Sequence, residues 1–461
     1  MSRIKIKQIQ PSDVGKTLAV CGWVRTVRKQ KNFAFIELND GSTLSNLQIL
    51  LEETAERYEE ILPQLATGVS VRAEGSLVES LGQKQKWELK ATSIHIFGSC
   101  PEDYPLQKKR HSFEFLREIA HLRPRTNTQG AVMRVRNALA FATHLFFQER
   151  DFLYVQTPIV TASDCEGGGE QFLVTTLDLD HLPRHSDGKV DFSQDFFSKP
   201  TFLTVSGQLN GETLASAFSD IYTFGPTFRA ENSHTSRHLA EFWMIEPEMA
   251  FTDLLDDMAY AEDYLKFVLR YILEKCSEDL EFFDAFIEKG LIERLKHVAQ
   301  TPFVRMSYTE AIAILQKSGR SFSFEVDWGK DLQSEHERYL AEEYCKKPVI
   351  LYDYPAKIKA FYMRSNDDGK TVAAMDVLVP KIGELIGGSQ REERLPVLED
   401  KIRDFGLRLE DYWWYVQLRK YGSVPHAGFG VGFERLVLFA TGMENIRDVI
   451  PFPRYPQHAA F

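Results

Sequence analysis

Arg229, Glu231 and His238 stand at the ends of two apolar runs, Ile221–Phe228 and Glu241–Ile245, with a polar, hydroxyl-rich loop between them. An arginine at the end of a strand can hold a polyphosphate, because its guanidinium fork matches phosphate oxygens in pairs. The same residues also suit an ordinary hairpin with a surface salt bridge, and this segment alone does not decide. A second run, GFGVGFER from Gly428 to Arg435, places glycines at alternate positions of a strand and an arginine in the next helix. Alternate glycines can clear one face for a flat ring, on which the arginine can stack. Glycine strands also mark bulges or close packing. Neither a GxxxxGK[ST] loop nor a strand-borne GxGxxG is present.

Elements of two kinds must position these residues. Residues 1–100 contain five short strand patterns, among them LAVCGWVRTVRK, FAFIELNDGS and VSVRAEGSLVE, with a helical insert over 52–65. That outline predicts a small all-β barrel of the OB type. The basic, proline-punctuated stretch 101–127 reads as a hinge. From residue 128 to 461 strands and helices mix without regular βαβ alternation, so an α+β domain on an antiparallel sheet is expected. Val132, Val135, Leu139, Ala142 and Phe146 predict a helix ending near Arg150. FLYVQTPIV then reads as a strand with Pro158 near its end. Phe251–Lys275 and Leu280–Val298 read as amphipathic helices, and the segment around 176–200 as an exposed insertion.

Composition narrows the partners. A net charge of -11 gives no global attraction to nucleic acid, so any such contact needs local basic patches. Arg25, Arg28, Lys29 and Lys31 form one, or else a solvated face. No apolar run is long enough to span a membrane, and the start lacks the apolar core of a secretory signal. Five scattered cysteines without zinc spacing point to a reducing cytoplasm.

Three features recur in one order: a helix–strand–proline unit ending at Pro158, Arg229-Ala-Glu231 at a strand end, and GFGVGFER near the C-terminus. In this order and at these separations they resemble the three signature motifs of the class II aminoacyl-tRNA synthetases. The N-terminal barrel and the C-terminal GMENIRDVIPFPR narrow the resemblance to the subgroup that charges aspartate, asparagine and lysine. Within it, the aspartyl enzymes carry a lysine where SGQLNG has Gly211. A neutral side-chain amide needs no cation, and a buried ammonium without its counter-ion is costly. Their FTQxDxE-like segment is here FWMIEPE, from Phe242 to Glu248. The whole chain therefore resembles the bacterial asparaginyl-tRNA synthetases.

That resemblance implies a cytoplasmic homodimer that uses ATP and Mg²⁺ to join L-asparagine to tRNA(Asn), with no membrane partner. It implies that Arg229 grips the ATP α-phosphate and Glu231 bonds the adenine, which Phe242 and Arg435 sandwich, while His238 faces the outer phosphates. Glu384 would carry Mg²⁺, with Asp376 as a second carboxylate whose spacing departs by one residue from the aspartyl pattern. Glu166 and Gln208 would hold the α-ammonium of asparagine, with Ser206 nearby. Glu246 would accept from its amide NH2 and Arg391 would bond its amide oxygen. In the barrel, Phe35 and Gln48 match positions that read the central anticodon uridine, with Arg25 and Glu88 beside them. Three alternatives stand beside this reading. Gly211 and Glu246 disfavour an aspartyl enzyme of relaxed specificity. The anticodon-type barrel disfavours a tRNA-independent asparagine-forming enzyme, and Arg229, Glu384 and Arg435 disfavour a non-enzymatic regulator.

Overall fold

Every second side chain is buried along Phe33–Asn39 and Ser70–Glu79, as alternating apolar and polar residues demand. A computed structural model describes all residues except 1–2, 81, 83–84, 164–169 and 234. The chain divides into two compact units, Met1–Arg134 and Val135–Phe461. In the first, β1 (Thr17–Lys29), β2 (Phe33–Asn39), β3 (Leu47–Glu52), β4 (Ser70–Glu79) and β5 (Trp87–Gly98) close a barrel in the order β1-β2-β3-β5-β4. Val20, Ile36, Ile49, Val71 and Leu89 fill it without exposure. The expected helical insert is one turn, Tyr58–Ile61, and a 3-10 turn. The stretch 101–127 has local structure of its own. It belongs to the first unit and carries a helix, Phe113–Glu118, capped by the Ser112 hydroxyl.

The second unit adds β6 (Leu153–Tyr154), β7 (Val160–Thr161), β8 (Leu173–Val174), β9 (Thr201–Leu203), β10 (Asp220–Phe228) and β11 (Glu241–Ala250). Further on come β12 (Val304–Ser307), β13 (Val349–Pro355), β14 (Thr371–Val379), β15 (Gly383–Gln390) and β16 (His426–Gly432). Eight of them form one sheet in the order β12-β13-β14-β15-β16-β11-β10-β6, parallel only at the β12–β13 and β10–β6 edges. β14 is buried at every residue, so the sheet is covered on both faces there. One cover is the helix Leu254–Lys275, which packs on β14, β15 and β16 and is capped by the Asp253 carboxylate.

Three expectations need correction. FLYVQTPIV is not one strand: β6 spans two residues, and Pro158 lies in the connection to β7. Proline has no N–H for the ladder, and it pushes Thr157 away from helix without supplying a partner. Leu280–Val298 is two helices, Ser277–Phe286 and Leu291–Gln300, parted at Gly290 with φ +86°. The helix expected from Phe251 starts at Leu254, since Phe251 itself takes a left-handed φ of +60°. The helix Asn127–Gln148 ends near the expected place, and its five spaced residues are buried or nearly so. The insertion is anchored by buried Asp195, whose carboxylate accepts from the Thr175 hydroxyl (2.6 Å), Thr176 N (2.9 Å) and Phe196 N (2.7 Å).

Candidate active site

β10 and β11 pair along their whole length, from Asp220 opposite Met249 to Phe228 opposite Glu241. That register carries Glu246 and Glu248 inside β11 and leaves Arg229 at the mouth of the hairpin. Two cavities open beside this hairpin, of about 280 Å³ and about 190 Å³. Arg229, Met244, Glu384 and Gly430 line both. Of the residues that sequence singled out, Ser206, Gln208, Glu246 and Arg391 line the larger space and Glu231, His238, Phe242 and Arg435 the smaller, with Arg229 at their border.

The larger cavity holds Ser206, Gln208, Glu246 and Arg391 together. Glu246 accepts from the Ser206 hydroxyl, from Gly207 N (3.0 Å) and from the Thr223 hydroxyl (3.0 Å). A carboxylate offers about four acceptor sites, so roughly one remains for a ligand. Arg391 is not a free cation. It pairs through Nε (3.1 Å) and Nη2 with Glu248 and donates Nη1 to Ser389 (2.8 Å). Burial pushes Glu248 up to about 7 against the pull of this guanidinium. A Cβ on Gly211 would lie 3.5 Å from Glu248 Cγ. Gln208 donates its amide nitrogen to fully buried Glu212 (3.1 Å). Glu212 escaped the sequence reading, although its spacing of four residues from Gln208 on one helix could have revealed it.

The smaller cavity gathers Arg229, Glu231, His238, Phe242 and Arg435. The Arg229 guanidinium lies 5.5 Å from the Phe242 ring centroid. His238 Nδ1 is held by Ser233 (2.9 Å) and Thr235. Arg435 reaches the Glu384 carbonyl (3.2 Å). Arg237 also lines this space, fixed by Ser334 (2.9 Å) and the Ile382 carbonyl (2.9 Å), and sequence reasoning passed it over. The alternate glycines serve two purposes rather than one. Gly430 and Gly432 face the cavity, whereas a Cβ on Gly428 would meet Pro247 O at 2.3 Å, so Gly428 is required by strand packing.

Two carboxylates converge over Gly387: its Cβ would lie 3.2 Å from Glu384 Oε1 and 3.4 Å from Asp376 Oδ1. A bulge in the β14–β15 ladder beside Val377 and Leu378 lies between the rungs that carry them. Among the described residues no group of three or more His, Cys, Asp or Glu forms a metal cage. Two carboxylates beside the cavities fit a hard cation such as Mg²⁺, which needs only one or two protein carboxylates because it keeps several waters. Lys359 pairs with Asp376 (2.8 Å), and Glu337 accepts from Glu384 N (3.0 Å), where burial and the neighbouring Glu384 push it up to about 8. Neither was foreseen: Glu337 lies in the helix Ser334–Arg338 and Lys359 in the connection after β13, and both reach these carboxylates only through tertiary packing.

In the barrel, Gln48 stands opposite Glu37 and Glu88, and Phe35 opposite Arg28, in neighbouring rows. Residues directly opposite one another share a face, so Phe35, Gln48 and Glu88 lie on one side. The Arg28 guanidinium sits 5.8 Å from the Phe35 centroid. Arg25 departs from this group: it lies at a bulge and donates to Asn127. Glu166 lies outside the described residues.

Residues 113–456 match the family described as tRNA synthetases class II (D, K and N), and residues 18–97 match the OB-fold nucleic acid binding domain. An asparagine–tRNA ligase of Protochlamydia amoebophila is 65% identical over 466 aligned residues, covering 100% of both chains. A chloroplastic/mitochondrial asparagine–tRNA ligase of Arabidopsis thaliana is 63% identical and covers 98% of this chain and 82% of its own. Among solved structures, the asparaginyl-tRNA synthetase of Pyrococcus horikoshii complexed with asparaginyl-adenylate superimposes with a TM-score of 0.86 at 31% identity, over 100% of this chain and 99% of that one. Two adjoining cavities on an antiparallel sheet, an OB barrel and full-length identity of this order lead to one assignment: the chain belongs to the class II tRNA synthetases for aspartate, lysine and asparagine, in the asparagine–tRNA ligase family.

Proposed function

We propose that this chain joins L-asparagine to tRNA(Asn) in two steps, and that the environment of Glu246 carries the choice of amino acid. In the first step the asparagine carboxylate attacks the ATP α-phosphate in line, releasing pyrophosphate and forming asparaginyl-adenylate. In the second, the 3′-terminal adenosine of tRNA attacks the acyl carbon, and AMP leaves. No protein nucleophile is needed. Arg229 binds the α-phosphate at the border of the cavities and stabilises the charge that develops there. Glu231, Phe242 and Arg435 hold the adenine, and His238 faces the outer phosphates. Bound at Glu384 and Asp376, Mg²⁺ would neutralise phosphate charge. Ser206, Gln208 and Glu166 hold the α-ammonium, and the remaining N–H groups of Arg391 bond the amide oxygen.

Glu246, oriented by three donors, accepts from the substrate NH2 and repels the carboxylate of aspartate. Glu246→Gln is expected to lower the asparagine-over-aspartate ratio of kcat/KM in ATP–pyrophosphate exchange by roughly 10- to 150-fold, the worth of one hydrogen bond to a charged group. An unchanged ratio refutes the role.

The barrel face of Phe35, Gln48 and Glu88 receives the anticodon, with the Arg28 side holding backbone phosphates. Exposed Phe141, Leu153, Tyr154 and Ile159, on the helix–β6–Pro158 stretch, support a homodimer formed there. Among the described residues no helix is long and apolar enough to cross a membrane. We place the chain in the cytoplasm, where tRNA is charged.

A further inference from the structure

We propose that Glu212 is a positioning residue for amino-acid activation: its carboxylate takes the amide NH2 of Gln208 and so turns the Gln208 carbonyl oxygen toward the α-ammonium of the bound amino acid. The inference rests on the reading that Gln208 holds this ammonium.

A primary amide has two chemically opposite ends, and only the carbonyl end accepts from an ammonium. The last torsion of glutamine is broad and roughly two-fold, so the backbone does not choose which end faces the cavity. Glu212 makes the choice. It is fully buried in the helix Gln208–Phe218, one turn beyond Gln208. Besides Gln208 it accepts from Arg419 Nη2 (2.6 Å), from the Tyr415 hydroxyl to both oxygens (2.9 and 2.9 Å) and from His426 Nε2 (2.9 Å). Every neighbour presents a proton, which is the surrounding an ionised carboxylate requires. Burial opposes that charge, but Arg419 and His426 outweigh it and hold the group well below the ordinary carboxylate range.

A flipped Gln208 would set its carbonyl against this carboxylate inside the protein, two acceptors facing each other with no proton between them. The amide is therefore locked with its NH2 inward. Gln208 lines the larger cavity beside Ser206 and Glu246, and its backbone N–H is tied to the Ser206 hydroxyl (3.1 Å), so neither end of the residue is free to turn. The hub also draws together distant segments: Tyr415 and Arg419 come from the helix Trp413–Lys420, and His426 opens β16. Arg419 is held in turn by the Glu392 carbonyl (2.8 Å), next in the chain to Arg391 of the same cavity.

ATP–pyrophosphate exchange on the full-length enzyme tests this with Gln208→Met, Glu212→Gln and the double variant. Glu212→Gln is expected to raise the KM for asparagine about 10- to 100-fold and to leave the KM for ATP within about twofold. The double variant is expected to be no worse than Gln208→Met alone, because both changes remove one interaction. Losses that multiply in the double variant, or an unchanged asparagine KM in Glu212→Gln, overturn the proposal. An unchanged asparagine KM in Gln208→Met instead overturns the reading on which it rests. Should Glu212→Gln fail to fold, Glu212→Asp keeps the buried charge beside Arg419 but withdraws it from Gln208. The same rise in asparagine KM is expected, and its absence refutes the role.

Discussion

Replacing Arg229 by alanine is expected to slow adenylate formation by about 10²- to 10³-fold, the typical loss when one preorganised donor to developing charge is removed. The side chain sits where the two cavities join, 5.5 Å from the Phe242 ring, and the proposed function puts the α-phosphate of ATP against its guanidinium. Arg229→Lys should recover only part of the loss, since an ammonium is a point charge and cannot present two parallel N–H groups to phosphate oxygens. The backbone bond from Arg229 N to Ala240 O (3.0 Å) survives either change, so the hairpin and the melting temperature should be nearly unaltered. Pyrophosphate exchange beside a thermal melt checks both halves. Activity of Arg229→Ala within tenfold of the unaltered enzyme would place the phosphate elsewhere.

The second large effect concerns stability. Asp257, in the helix Leu254–Lys275, is fully buried, and neither carboxylate oxygen has a hydrogen-bond partner among the described residues. Burial raises its pKa well above 3.8; Arg391 pulls it back and Glu248 pushes it up again. An acid whose folded pKa is raised adds stability that is complete below the unfolded value and is lost as pH climbs toward the folded one. The slope is up to about 1.4 kcal/mol per pH unit for one proton. Asp257→Asn removes this titration. Its melting temperature should differ little in slope from the unaltered protein below pH 4, then gain on it by several degrees as pH rises to 8. A difference that stays constant across that range would mean Asp257 is ionised and paired when folded.

Much of the nucleotide side was legible because it is written in short stretches. Arg229, Glu231, His238 and Phe242 lie within fourteen positions, and a hairpin brings both its strands together by local pairing alone. Gln48 and Phe35 were named only through the family resemblance; that they share a barrel face follows from the strand pairing. The strand ending at Pro158 was misread because its apolar residues have strand character whether or not a partner is there. Beyond Val155, whose N–H still donates to Tyr222 O (3.0 Å), the chain leaves β10, and only the sheet could say so. Gly428 and Gly430 looked alike in sequence but answer to different neighbours, a carbonyl of β11 and an open cavity.

The amino-acid order alone determined the barrel-plus-sheet architecture and the family, because periodicity, turns and short motifs depend on near neighbours in the chain. The tertiary structure decided which groups are free to act. Arg391 is tied to Glu248, Asp376 to Lys359 and Gln208 to Glu212, and the first two pairs join residues 143 and 17 positions apart. Buried charges must find partners inside the protein. Which partners they find depends on strand order and helix packing, which periodicity and spacing along the chain do not resolve.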